Sequence, residues 1–326
     1  MRGRSLRGGA LRRLIPAAWL MACACAHAGA APLRVSQVAP GVYVHIGQHK
    51  DFGEGYDGDI ANIGFVVGAE AVAVIDTGGS YAVGKSLREA VREVTRLPIR
   101  YVINTHVHPD HVFGNAAFVD AAFVDADPAA SGPAPRLIGH AMLPQAMRAR
   151  SDIYLRNLAK DLGEQARKSR LVAPDQTVRG RLTLDLGGRK LELTAWPGAH
   201  TNNDLSVFDV KSGTLWTGDL LFVERTPSID GDVTGWLGAM EELGKVAAVN
   251  TIPGHGPVIR DKNAALARQR DYLQALLRDV RASIRGGADM GAAMDTAAAS
   301  ERAHWRLFDA VNRRNVSLLY PALEWE

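Results

Sequence analysis

The segment that most narrows the possible folds is Thr105-His106-Val107-His108-Pro109-Asp110-His111. Three imidazoles and one carboxylate fall within six residues, directly after the short apolar run Tyr101–Asn104. Burying so many polar groups is costly unless a cation compensates them. Residues two apart in an extended segment face the same way, so His106 and His108 can reach one metal ion together. Pro109 biases His108 toward extended backbone and suits the first position of a following helix. That turn lets Asp110 and His111 point at a neighbouring position. The cluster therefore calls for a strand end, a tight turn and a helix start meeting at one point.

The first thirty residues read as an export signal and stand apart from the fold. Arg2, Arg4, Arg7, Arg12 and Arg13 form a basic start without an acid, an apolar run spans Leu14–Ala26, and Ala28-Gly29-Ala30 offers a small-residue cleavage site. The run is too short for a transmembrane anchor. The expectation is a periplasmic protein whose mature chain, residues 31–326, has no membrane span. Leu20-Met21-Ala22-Cys23 also fits a lipoprotein box, so a lipid-anchored N-terminus stays open, and Arg12-Arg13 is a weak hint of twin-arginine export. Removing the five arginines leaves 33 basic against 35 acidic residues, a net of about −2 rather than +3. Nothing in that balance suggests nucleic-acid binding, and a small-molecule substrate is the expected partner. Both cysteines, Cys23 and Cys25, lie in the signal, so any metal in the mature chain must be held by His and carboxylates.

From Gly41 the sequence alternates strand-like and helix-like stretches. Val42–Ile46, Ile63–Val67, Ala71–Ile75 and Tyr101–Asn104 read as strands, with a Gly-rich loop over Gln48–Gly58 and a helix from about Ser80 to Arg96. The second half repeats the pattern. A helix covers about Met142–Lys168, strands follow at Leu182–Leu186, Lys190–Ala195, Leu205–Val210 and Thr214–Thr217, then a helix at Val233–Ala248 and a strand at Asn250–Ile252. From about Asn263 the chain reads as a helical extension within the same domain. Strands followed by helices in both halves predict an α/β fold, an αββα sandwich of two packed mixed sheets with helices outside.

Three further residues sit just after predicted strands, where layered α/β folds place their sites. His200 lies in Pro197-Gly198-Ala199-His200-Thr201, Asp219 in Trp216-Thr217-Gly218-Asp219, and His255 in Pro253-Gly254-His255-Gly256. Alone, each is an ordinary loop histidine or turn aspartate. Their common placement gives them weight.

The run His106-x-His108-x-Asp110-His111, followed by His200, Asp219 and His255, resembles the metallo-beta-lactamase superfamily of hydrolases across residues 33–260. The resemblance implies that His106, His108 and His200 hold one metal, that Asp110, His111 and His255 hold a second, and that Asp219 bridges them. Asp76, in Val74-Ile75-Asp76-Thr77-Gly78, matches a family position that supports the site from beside it. Such a set of nitrogen and oxygen donors suits two Zn²⁺ per chain, with iron or manganese open because no soft sulfur ligand discriminates. A metal-activated water would be the nucleophile and Asp110 would orient it and carry its proton.

The implied reaction is hydrolysis of an ester, thioester or amide. Asp219 stands where one lactamase group has a cysteine, and no lysine follows closely to clamp a lactam carboxylate; Arg225 is the nearest cation. Zinc β-lactamase activity stays open, as do a mononuclear iron sulfur dioxygenase and a non-catalytic metal-binding accessory protein. Val38–Val44, Gln48–Gly64 and Ser228–Trp236 are similar to an exported subgroup, the SoxH-like and quinoprotein-relay-system zinc metallohydrolases. That likeness implies service in periplasmic sulfur or alcohol oxidation. The Gln48–Gly58 loop could cover the site, while His45, His140 and His304 read as ordinary fold histidines.

Overall fold

A computed structural model describes residues 1, 3, 32–53, 55–120 and 134–325. Nearly all of the expected export signal, both cysteines and most of the polar stretch Asp125–Pro135 lie outside the described residues. Among the described residues no helix is long and apolar enough to cross a membrane.

The strands β3 (Ile63–Val67) and β4 (Val72–Ile75) are apolar at nearly every position and almost wholly buried. Strands of that kind need cover on both faces. Alternation supplies it: Val66, Ala73 and Ile75 face a second sheet, whereas Phe65, Val72 and Val74 face helices. Seven strands form this first sheet in sequence order, with β1 (Ser36–Ala39), β2 (Val42–His45), β5 (Ile99–Ile103), β6 (Arg136–His140) and β7 (Gln176–Val178). Pairing is antiparallel from β1 to β4 and parallel from β4 to β7. The second sheet holds β8 (Arg181–Asp185), β9 (Lys190–Ala195), β10 (Leu205–Asp209), β11 (Thr214–Phe222) and β12 (Asn250–His255), and only the β11–β12 pair is parallel.

Leu191, Leu193, Val207 and Trp216 of the second sheet meet Val44, Ile75 and Ile103 of the first in the core between the layers. Helix α1 (Tyr81–Val94) covers the outer face of the first sheet. Ser80 caps it by accepting from the Val83 amide at 3.2 Å, and Val83, Leu87, Ala90 and Val91 form its buried stripe. Two one-turn helices, α2 (Pro109–Val112) and α3 (Ala116–Val119), follow β5, and α4 (Leu143–Leu162) follows β6. Outside the second sheet lie α5 (Val233–Gly244), α6 (Lys262–Arg285), α7 (Met290–Thr296) and α8 (Phe308–Leu323), packed through Trp236, Met240, Leu273, Leu276 and Val316. The architecture is the expected sandwich of two mixed sheets flanked by helices.

Several boundaries differ from the sequence reading. β5 begins two residues earlier than the apolar run, at Ile99. β11 continues through Gly218 and Asp219 to Phe222, so Asp219 lies within a strand and not at its end. The register against β12 breaks between Gly218 and Phe222, and that irregularity turns Asp219 toward the site. Strands β1, β6 and β7 carry no clear alternation in sequence and are held by their neighbours' pairing.

Candidate metal centre

Four strand ends and one strand interior converge at one edge of the sandwich. Asp76 follows β4, His106 to His111 follow β5, His200 lies between β9 and β10, Asp219 sits in β11, and His255 closes β12. Their donor atoms form two groups: His106, His108, His200 and Asp219, and beside them Asp110, His111 and His255, each group with its atoms within 4.8 Å of one another. Asp219 touches both. Its Oδ2 is 3.3 Å from His200 Nε2 and 3.4 Å from His255 Nε2, and its Oδ1 is 3.2 Å from His111 Nε2. Asp110 Oδ2 lies 3.4 Å from His255 Nε2. All seven residues named from the sequence are therefore brought together. His45, His140 and His304 stand elsewhere: His45 pairs with Asp59 at 2.6 Å, His140 accepts from the Met142 amide at 3.0 Å, and His304 is exposed.

Each of the five imidazoles has one nitrogen committed to a protein oxygen. His200 Nδ1 donates to the Ser228 carbonyl at 2.9 Å and His255 Nδ1 to the Ile60 carbonyl at 2.7 Å. His111 Nδ1 donates to Asp76 Oδ2 at 2.8 Å, and His108 Nε2 to Asp230 Oδ2 at 3.1 Å. The Thr105 hydroxyl donates to Asp76 Oδ2 at 2.7 Å and so accepts from His106 Nδ1 at 3.0 Å. These assignments follow from the network, since only one partner in each pair can donate. The remaining nitrogen of every ring faces the centre, where it would ligate a metal.

That arrangement fits a metal and little else. His106 Nε2, His111 Nε2 and Asp219 Oδ1 are buried without a hydrogen-bond partner; the 3.2 Å approach of the last two lacks hydrogen-bond geometry. Buried polar atoms normally find partners, and three orphans in one spot need a cation. Gly254 makes room for the centre, because a Cβ there would lie 1.9 Å from Asp219 Oδ1. Asp76 adopts a left-handed backbone (φ 53°), a strained conformation for a non-glycine residue, and the hydrogen bonds it receives from Thr105 and His111 hold it there.

The electrostatics divide the rings: burial works against charge, but Asp230 holds His108 above the usual imidazole range and Asp219 holds His111 well above it. Burial pushes His106 well below the usual imidazole range and His200 down to about 3, which keeps both rings neutral and ready to ligate. Burial also works against charge on Asp219, but the neighbouring imidazoles, His255 and His111 foremost, outweigh it and hold the carboxylate well below its usual range. For Asp230 burial is likewise outweighed, here by the His108 hydrogen bond and charge and by Arg150, leaving it at about 2.

Four supporting residues escaped the sequence reading. Asp230 fixes His108 and also accepts from Arg150 Nη2 at 2.9 Å. Asn62 donates to the carbonyls of Pro253 at 2.8 Å and Gly256 at 2.7 Å, bracketing His255. Thr105 links His106 to Asp76. Asn315, on α8, donates to the Pro227 carbonyl at 2.7 Å and accepts from the Ile229 amide at 2.9 Å, so it clamps the loop that carries Ser228 and Asp230.

The Gln48–Gly58 loop forms a wall beside the centre. Arg314 of α8 pins it through a two-pronged contact to Asp51 at 2.8 and 2.9 Å, and Arg225 donates to the Lys50 carbonyl. Tyr56, Phe52 and Arg225 line the cleft above Asp110.

A family model described as Metallo-beta-lactamase superfamily matches residues 56–255. No curated protein matches the chain in sequence. Among solved structures the chain is similar to the stereoselective inverting sec-alkylsulfatase Pisa1 from Pseudomonas sp., at 18% identity over 88% of this chain and 50% of that one, with a TM-score of 0.64. It is also similar to a metallo-beta-lactamase from Pontibacter korlensis, at 20% identity over 74% and 99% of the two chains, TM-score 0.55. A third likeness is to TMB-1, at 17% identity, 74% and 97% coverage and a TM-score of 0.54. At such identities the likeness concerns the fold, and the chain spans about half the length of the sulfatase.

Proposed function

This chain belongs to the metallo-beta-lactamase superfamily of hydrolases, and on that premise we propose that it uses two zinc ions to hydrolyse an ester, thioester or amide. One observation carries the reading. Five histidines each have one nitrogen fixed by a protein oxygen and the other turned to a common point, with two carboxylates between them.

His106, His108 and His200 would hold one metal and Asp110, His111 and His255 the other, with Asp219 shared. A bound metal would supply Lewis acidity there and make water a nucleophile at neutral pH. The protein's own groups then set direction and proton flow. Asp230, Asp76 and the Ser228 and Ile60 carbonyls lock the rings, so the ligand cage is formed before substrate arrives. Asp110 lines the cleft, where its carboxylate can accept a proton from water and return it to the leaving group. Arg225, also on the cleft wall, is buried and faces the field of Asp110.

Asp219 in place of a sulfur ligand, and the absence of a nearby lysine, favour this broad hydrolase reading over lactam cleavage. The N-terminal signal and the likeness to the SoxH-like and quinoprotein-relay subgroup extend the proposal to work in the periplasm beside an oxidation pathway. The test is a panel of an ester, a thioester and a lactam, offered to metal-loaded protein and to Asp110→Ala. Turnover of one class, reduced at least about hundredfold in the variant, is expected. Metal-loaded protein inert toward all three classes would overturn it.

A further inference from the structure

A cleft of about 450 Å³ opens over the metal centre, with His108, Asp110, Asp219 and His255 at its floor. That size suits a small molecule. Its deeper walls are aromatic and aliphatic: Tyr56, Phe113, Tyr154 and Leu158. At the mouth stand Phe52, Ile153 and Leu318, which are 44%, 51% and 52% exposed. A single exposed apolar side chain calls for no explanation. Here three large ones come from three separate elements, the loop before β3, α4 and α8, and meet on one opening.

On α4 the cleft-lining residues Ile153, Tyr154, Asn157, Leu158 and Asp161 recur at helical spacing, so one whole face of the helix is turned to the cleft. The rim cations are engaged by protein carboxylates, Arg314 by Asp51 and Arg150 by Asp230. These two pairs balance charge on the rim; Asn157, Asp161 and Arg225 add polar groups, and the larger part of the lining is apolar. Apolar side chains stand both at the mouth and beside the floor.

We propose that the substrate is a carboxylic ester bearing an extended apolar chain, which lies against Phe52, Ile153, Tyr154 and Leu318 while the ester group reaches Asp110. This rests on the hydrolase reading above and names its substrate class. Water adds to the ester carbonyl, the C–O bond to the alcohol breaks, and the products are a carboxylic acid and an alcohol, with the water's proton passing to the departing oxygen. No oxidant or further reactant is required.

The test is a chain-length series of p-nitrophenyl esters, acetate to octanoate, with the metal-loaded full-length protein. Each buried methylene should raise kcat/KM about two- to fourfold, so octanoate should exceed acetate at least about fiftyfold. The ratio within one preparation is the readout, which cancels any difference in active fraction. In the triple variant Phe52→Ser, Ile153→Ser, Leu318→Ser the ratio should fall at least tenfold; all three side chains are already solvent-exposed and their loss spares the core. Acetate turnover with a flat series would overturn the substrate class and leave the hydrolase reading standing. A metal-loaded protein that cleaves no ester in the series would overturn both. A steep series that the triple variant leaves unchanged would also overturn the assignment. If that variant instead loses co-sedimentation with phosphatidylglycerol vesicles at an unchanged ratio, the mouth is a membrane contact and the proposal falls.

Discussion

His200 Nε2 faces His108 Nδ1 at 3.0 Å, although the other nitrogen of each ring already donates to a protein oxygen. One proton or one cation must sit between the two facing nitrogens. With His106 and Asp219 beside them, the two rings would hold a cation there. The outer partners enforce the pairing, so they are where the centre is most open to test.

Asp230→Ala should free His108 to rotate and leave Arg150 without its carboxylate. Zinc affinity, measured by competition with a chromogenic chelator, is expected to fall about 10- to 100-fold. Asp230→Asn, which keeps an acceptor oxygen, should lose less. Unchanged affinity in both would show that His108 is positioned by other contacts.

Asn315→Ala removes the clamp on the Pro227–Asp230 segment from a helix that supplies no ligand itself. Both Ser228 and Asp230 should loosen, lowering zinc affinity as well as stability, the latter by about 1–3 kcal/mol for the unpaired buried groups. A purely structural role would lower the urea midpoint and leave metal affinity of the folded protein intact.

Gly254→Ala tests the close approach behind Asp219. A methyl group there collides with the Asp219 carboxylate, so the carboxylate must leave its place beside the two donor groups. The expected result is loss of bound metal with a stability cost of about 1–3 kcal/mol, read by metal analysis beside thermal unfolding.

Away from the centre, Arg189 links the two sheets. Its guanidinium donates to Asp209 at 2.9 and 2.5 Å and to the carbonyls of Pro40 at 3.0 Å and Val67 at 2.9 Å. Burial works against charge on Asp209, but the Arg189 and Ser212 hydrogen bonds outweigh it and depress the carboxyl below its usual range. A depressed folded-state pKa contributes stability that is present above the unfolded value near 4 and is lost as pH falls through the folded one. Urea midpoints should therefore drop between pH 5 and pH 3 by less in Asp209→Asn than in the parent. At neutral pH that variant should be less stable by about 3–5 kcal/mol, because Arg189 stays buried without its partner.

The sequence disclosed the ligands better than their supports. His106, His108, Asp110 and His111 stand in one short segment, and their density after an apolar run is visible without any structure. Asp219 and His255 were weak singly and became legible through their order along the chain. Asp230 acts on a ring 122 positions away, and Asn315 acts through backbone carbonyls, a contact that leaves no residue pattern. Among the elements, β3 and β4 announce themselves by composition. The three-residue β7 exists only because β6 pairs with it, and the passage of β11 through Gly218 is set by β12 and not by alternation.

Metal content per chain is the most direct test of a two-metal hydrolytic centre. Elemental analysis of the purified full-length protein, after removal of loosely held ions, should give about two zinc atoms per chain. Asp219→Ala should reduce that count, since Asp219 belongs to one donor group and lies against His111 and His255 of the other. Full hydrolytic turnover by a protein that holds no metal would contradict the reading of this centre.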